Sequence, residues 1–338
     1  MKILLRKCMQ TAFAAIALVA GSESTHAQDK YYWGQADFPY VEYRGFSIGT
    51  NFGLADMWAD VGTKSPVDHY LNDQYWGEPH FMGGLFLRYS HWPGLAVRLG
   101  ANYGTVYADD KWNKEKALQA ATINDDYYQR YLRNQVVRTG IWEGNLMLEI
   151  APLRLFSNWE MSRNALRRFQ PYILIGGSYF RYNPTGLYKD FVNNTERWYD
   201  LRPLSTEGQG YNLPAMPDYY SMYSYSVIAG LGVKWDVGRA FGLGLEFQLR
   251  HTFTDYLDDV SGQYIDKIYH DIANVENPGQ SQFIYDMMDK SYEIIPGYKH
   301  KPGEYRGDPD NKDMFSTISV MFYWKIDKNA IPWWNDYR

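Results

Sequence analysis

Residues 241–251, FGLGLEFQLRH, place Phe241, Leu243, Leu245, Phe247 and Leu249 at alternate positions, with Gly242, Gly244, Glu246, Gln248 and Arg250 between them. A period of two over that length predicts a strand with one apolar and one polar face. The preceding stretch has the same phase: Tyr223, Tyr225, Val227, Ala229, Leu231, Val233 and Trp235 alternate with Ser224, Ser226, Ile228, Gly230, Gly232 and Lys234. Asp236-Val237-Gly238-Arg239 between the two runs reads as a tight hairpin turn.

Working outward, the pattern recurs along the chain. Phe81, Leu85, Leu87 and Tyr89 oppose Gly84 and Arg88; Leu95, Val97, Leu99, Ala101 and Tyr103 oppose Arg98, Gly100, Asn102 and Gly104. Trp142, Leu146, Leu148 and Ile150 oppose Glu143, Asn145 and Glu149, and Ile318, Val320, Phe322 and Trp324 oppose Thr317 and Ser319. With 45–52 and the weaker-phased 171–182, the expectation is an all-β, antiparallel chain of about eight strands. Long connections alternate with short turns, apart from a longer turn at 152–169. That asymmetry is the layout of a transmembrane β-barrel with long extracellular loops and short periplasmic turns, both termini on the periplasmic side.

Alternation by itself also fits a soluble sandwich or lipocalin-like barrel. Three features favour the membrane. Residues 1–27 read as a secretory signal, with Lys2, Arg6 and Lys7 before an apolar run and Thr25-His26-Ala27 as the cleavage pattern. Aromatics make up 17% of the chain, with 31 Tyr and 12 Trp, as two interfacial girdles require. The loop asymmetry is the third; the charged strand residues, Arg88, Arg98, Lys234 and Arg250 against Glu143, Glu149 and Glu246, share faces with many glycines as a narrow, mutually neutralised lumen would need, although the alternation does not fix which face points inward. The domain reading is therefore a signal peptide at 1–27, an N-terminal periplasmic segment at 28–43, the outer-membrane barrel at 44–325 and a periplasmic tail at 326–338.

Composition excludes several chemistries. The one cysteine, Cys8, falls inside the signal, so thiol and disulfide roles are not expected. A formal charge of −5 without a basic cluster does not read as a nucleic-acid binder. His69, His80, His91, His251, His270 and His300 have no metal-ligand spacing; no catalytic residue, cofactor or metal ligand is assigned. The run 254–267, TDYLDDVSGQYIDK, clusters Asp255, Asp258, Asp259 and Asp266. It reads as turn-capping loop residues, with a Ca²⁺ site as the open alternative. The 152–169 turn carries Arg154, Arg163, Arg167 and Arg168 against Glu160, and the tail carries Ile331, Trp333 and Trp334. Both are candidate contacts for a periplasmic partner.

RFQPYILIGGSYFRYNPTG (168–186), WYDLRPLSTEGQGY (198–211) and RHTFTDYLDDVSGQYID (250–266) resemble the signature stretches of the Bacteroidetes outer-membrane barrels related to PorG. The most specific residues are Pro203, Leu204, Thr206, Glu207, Gly208, Gln209 and Gly210, then Thr254, Asp255, Tyr256, Asp258 and Asp259. The resemblance implies a non-enzymatic barrel in contact with outer-membrane lipids, working with the periplasmic lipoprotein ring of the type IX secretion and gliding machinery. Long loops two and four depart from smaller members and leave a paralogue with another role open. The alternative functions are a lipid-modifying barrel enzyme of deacylase type and a narrow passive pore. Apart from the family, Gly208 and Gly210 admit backbone shapes closed to other residues, and Glu207 and Gln209 can cap loop amides. Loops three and four are expected to fold over the barrel mouth as a lid.

Overall fold

The computed structural model describes residues 45–63, 80–92, 94–155, 169–191, 193–214, 216–237 and 240–326. The expected leader at 1–27, the segment 28–43, the tail from 327 and five candidate contacts, Arg163, Arg167, Arg168, Trp333 and Trp334, lie outside the described residues, as does the side chain of Arg154.

Eight alternating segments form the expected strands: β1 (Gly45–Trp58), β2 (Phe81–Trp92), β3 (Leu95–Asp109), β4 (Val136–Ile150), β5 (Phe169–Asp190), then, after a short β6 (Thr195–Asp200), β7 (Tyr223–Asp236), β8 (Phe241–Thr252) and β9 (Met314–Ile326). Each pairs antiparallel with its neighbour, and β1 pairs with β9 from Phe46↔Ile326 to Trp58↔Met314, so the sheet closes into a ring of eight. Closure leaves the ring strands themselves without a free edge. β6 is the strand the alternation does not show. β5 runs past its last partner in β4, Val137↔Gly186, and pairs with β6 from Thr185↔Asp200 to Asp190↔Thr195, a hairpin continuing the wall beyond the ring.

The apolar residues face outward and the charges inward, the reverse of a soluble barrel. Leu85, Leu99 and Leu231 are each about three-fifths exposed. Ile48, Leu87, Val97, Leu146, Ile175, Val227, Leu245 and Val320 are exposed around the same wall. So continuous an apolar surface belongs in lipid. Two aromatic girdles bound it. Near the short turns, Phe46 meets Tyr89 with ring centroids 4.7 Å apart and Phe241 meets Phe322 at 5.6 Å; near the long loops, Phe52–Phe81, Tyr103–Trp142 and Tyr179–Tyr225 lie at 5.3, 4.3 and 5.0 Å. The weak phase of strand five has a simple cause. Tyr172, Leu174, Phe180 and Tyr182 point inward, so both faces of β5 are apolar.

Candidate functional site

The lumen is filled in steps from the short-turn end. Lys325 Nζ pairs with Asp236 Oδ1 at 2.8 Å, and the Tyr323 hydroxyl donates to the same oxygen at 2.6 Å. Next, Lys234 pairs with Glu149, which Arg88 also approaches at 3.6 Å. Arg98 then donates to both oxygens of Glu246, at 2.6 and 2.9 Å, with Glu149 3.4 Å away and the Tyr172 hydroxyl also bonded to Glu246. Towards the long loops, Arg250 Nε donates to Glu143 at 2.7 Å and its Nη atoms to Thr317 and Gln248. All seven inward charges of the alternation enter this network, each at most 6% exposed. The glycines on the same face make room for it: a Cβ at Gly232 would lie 2.3 Å from the Tyr172 ring, and one at Gly242 2.1 Å from that of Tyr323.

Above the charged steps lies an apolar layer where wall and loops meet. Met57, Val106, Val137, Ile141, Phe180 and Phe315 come from the strands; Leu201, Tyr220, Leu257, Val260 and Met287 come from the long connections. Thr139 Oγ1 on β4 donates to Leu257 O at 2.6 Å, tying the β8–β9 loop to the opposite wall.

The two marker motifs meet in this lid. Gly208 and Gly210 take φ of +77° and +78°, left-handed backbone that glycine adopts without strain. This turn aims Glu207 back at the second motif, where it accepts hydrogen bonds from the amides of Ser261 and Gly262 at 3.1 and 3.0 Å; Gln209 Oε1 caps the Glu207 amide at 2.9 Å. Thr206 Oγ1 and the Tyr220 hydroxyl each donate to Asp259 at 2.6 Å. Thr254 Oγ1 accepts from the Tyr256 amide at 3.2 Å, Pro203 and Leu204 lie in the 3₁₀ turn Arg202–Leu204, and Asp266 caps the helix Lys267–Ala273 through Ile268 N at 3.0 Å. Asp258 accepts from Val61 N at 2.7 Å and Val260 N at 2.9 Å, and Asp255 is buried beside it. The acidic cluster therefore caps and tethers backbone. Among the described residues, no three acidic, histidine or cysteine side chains are grouped to hold a metal ion.

Three guanidiniums complete the lid, and none of them is marked in the sequence by spacing or period. Arg306 Nη1 donates to Glu207 at 2.8 Å and to Asp259 O at 2.7 Å. Arg133 forms a two-point pair with Asp110, both bonds 2.8 Å, and reaches Arg306 O at 2.6 Å. Arg130, one turn earlier on the helix Asp126–Arg133, bonds the backbone of Asp60 and approaches its carboxyl at 3.7 Å. The helix is aimed by Asp125 at its start and by Asn134, at φ 55°, at its end. Burial pushes the Asp259 carboxyl up to about 6 even though Arg306 and two hydroxyls hold it down. His300 is oriented by Asp289 at 3.1 Å, but its ring lies flat on Tyr264, with centroids 4.3 Å apart. His251 is an exposed girdle residue next to Phe253. The arrangement fixes four loops to one another.

No protein-family model matches the chain, and no curated protein matches it in sequence. Among solved structures it is similar to Ail, the attachment invasion locus protein of Yersinia pestis, at 7% identity over 83% of this chain and 99% of that one, with a TM-score of 0.32. Neisserial surface protein A gives 8% identity over 83% and 97% with a TM-score of 0.33, and a major outer membrane protein from Thermus thermophilus 12% over 83% and 98% with 0.32. Values this low transfer no residue role to the chain.

Proposed function

We propose that this chain is a non-conducting, non-enzymatic outer-membrane barrel that anchors a periplasmic assembly. The observation carrying the first part is double closure: a paired charge network fills the lumen, and a lid tied together by ion pairs and hydrogen bonds caps its long-loop end. A passive pore needs a water path, and a lumen whose charges are spent on one another offers none. The resemblance of 203–210 and 254–260 to the PorG-related barrels names the assembly: the lipoprotein ring of the type IX secretion and gliding machinery. In this reading the lid faces outward, and the 152–169 turn and the tail, with Arg154, Arg163, Arg167, Arg168, Trp333 and Trp334, are the periplasmic contacts.

The test is co-purification from outer membranes, with photo-crosslinkers placed at 163, 167 and 334. Crosslinks to a periplasmic lipoprotein, and loss of export of proteins carrying the type IX C-terminal signal when the gene is deleted, are expected. A barrel that purifies alone and whose deletion leaves that export intact overturns the proposal.

A further inference from the structure

The lid buries more carboxyls than guanidiniums. Asp110 and Glu207 are paired with Arg133 and Arg306, and Asp259 takes two hydroxyl bonds beside Arg306. Arg130 stands at Asp60. Asp255, Asp258 and Asp313 remain, at 3%, 0% and 1% exposure, and among the described residues no guanidinium is bonded to any of them. Asp258 and Asp313 each hold one part of the β8–β9 loop. Asp258 accepts the Val61 amide at the end of β1, and Asp313 Oδ2 accepts the Leu257 amide at 2.8 Å, clasping the loop's entry to its exit. Asp313 Oδ1 accepts no hydrogen bond, and the oxygens of Asp255 lack a well-formed one, with the Ser261 hydroxyl and Lys312 easing its charge.

Charged groups face this cluster from every element packed on it. Asp60 lies across the end of β1, with Asp308 beside it; Arg133 reaches Asp258 and Asp60 from the helix, together with Arg130. Glu207 faces Asp255 from the 201–211 turn, and Arg306 holds Asp259. The phenols of Tyr182 and Tyr256 complete the surround. Repulsion outweighs attraction. Three neighbouring carboxylates out of water cannot all stay ionised, because desolvation and mutual repulsion both favour the neutral form. The Asp258 oxygens and Asp313 Oδ2 are turned to three different backbone amides rather than to one shared position, and Asp313 Oδ1 and the Asp255 oxygens are left to carry protons as the neutralising species.

We infer that the start of the β8–β9 loop, 254–260, is a proton-dependent latch: protonation of the Asp255, Asp258 and Asp313 cluster holds the lid on the barrel mouth, and deprotonation releases it. The inference is independent of which assembly the barrel anchors. Burial, with the Asp60 charge close by, pushes Asp258 up to about 8 and Asp255 up to about 7; burial and the charges of Asp258 and Asp255 push Asp313 well upward. The folded lid thus binds protons more tightly than the free loop. The contribution of the cluster is full below about pH 4, the ordinary carboxyl range, and is lost as pH rises through about 7 to 8.

The test uses the full chain with Cys8→Ser, in liposomes, carrying nitroxide labels at Leu118→Cys and Val275→Cys, sites 71% and 73% exposed on two different loops. Electron–electron resonance distances are expected to be narrow at about pH 5 and broad at about pH 9. Asp313→Asn keeps the Leu257 bond through its carbonyl and puts an amide where Oδ1 now lacks a partner. It is expected to raise the broadening midpoint by about one pH unit, a tenfold change in the closed-to-open ratio for each proton linked to release. Asp255→Asn, which breaks no backbone bond, is expected to shift it the same way and serves if Asp313→Asn does not fold. A distribution that stays narrow to pH 9, a midpoint that neither variant moves, or reclosure of the native lid at about pH 9 by millimolar Ca²⁺ overturns the latch; the last would make the cluster a cation site.

Discussion

Arg98 and Glu246 show what a single residue does in this lumen. Both are at most 2% exposed, and they meet through two hydrogen bonds. A buried pair adds little over an apolar pair of the same volume, but stranding one member is costly. Glu246→Leu is therefore expected to destabilise the barrel by about 3–5 kcal/mol, read as a lower unfolding midpoint in detergent, whereas adding Arg98→Met restores much of the loss. Equal loss in the single and double variants would show that packing, not charge stranding, governs the site. That Glu246 and Arg98 point inward is legible from their places in FGLGLEFQLRH and in the 95–104 alternation. That they meet is not, because 148 positions separate them and period-two patterning carries no information on pairing across the lumen.

At the scale of elements, the 201–211 turn and the 254–262 stretch act as one clasp centred on Glu207. Glu207→Ala removes the acceptor of the Ser261 and Gly262 amides and the partner of Arg306 in one step. Rapid trypsin cleavage within 253–313 is expected, with the strand content of the barrel unchanged by circular dichroism. Cleavage no faster than in the native chain would place the clasp elsewhere. The glycines and caps of this turn were readable from residue type alone. The helices Lys267–Ala273 and Pro278–Met288 carry equally plain start signals, Asp266 and Asn277-Pro278, but an alternation template searches for strands and passes over them. β6 was hidden for another reason: its pattern is exposed or half-buried along its length, so it has no apolar face to announce it.

For the molecule as a whole, the two closures are independent, since the charge network lies below the layer on which the lid rests. Planar-bilayer recordings are thus expected to show no steady conductance at about pH 5 or at about pH 9, even where the latch is released. Stable single-channel steps at either pH would contradict a filled lumen. The alternation establishes an antiparallel all-β chain whose strands carry their charges on one face; that this face is the lumen, and that β5 is apolar on both faces, comes from the structure. Neighbouring strands in such a barrel are neighbours in the chain, and an outward apolar face pins register through a period of two. What the loops do is set by long-range contacts alone. The lid joins Val61 to Asp258 across 197 positions and Arg133 to Arg306 across 173, through contacts that follow no period and exist only once the ring has brought the four long loops to one end.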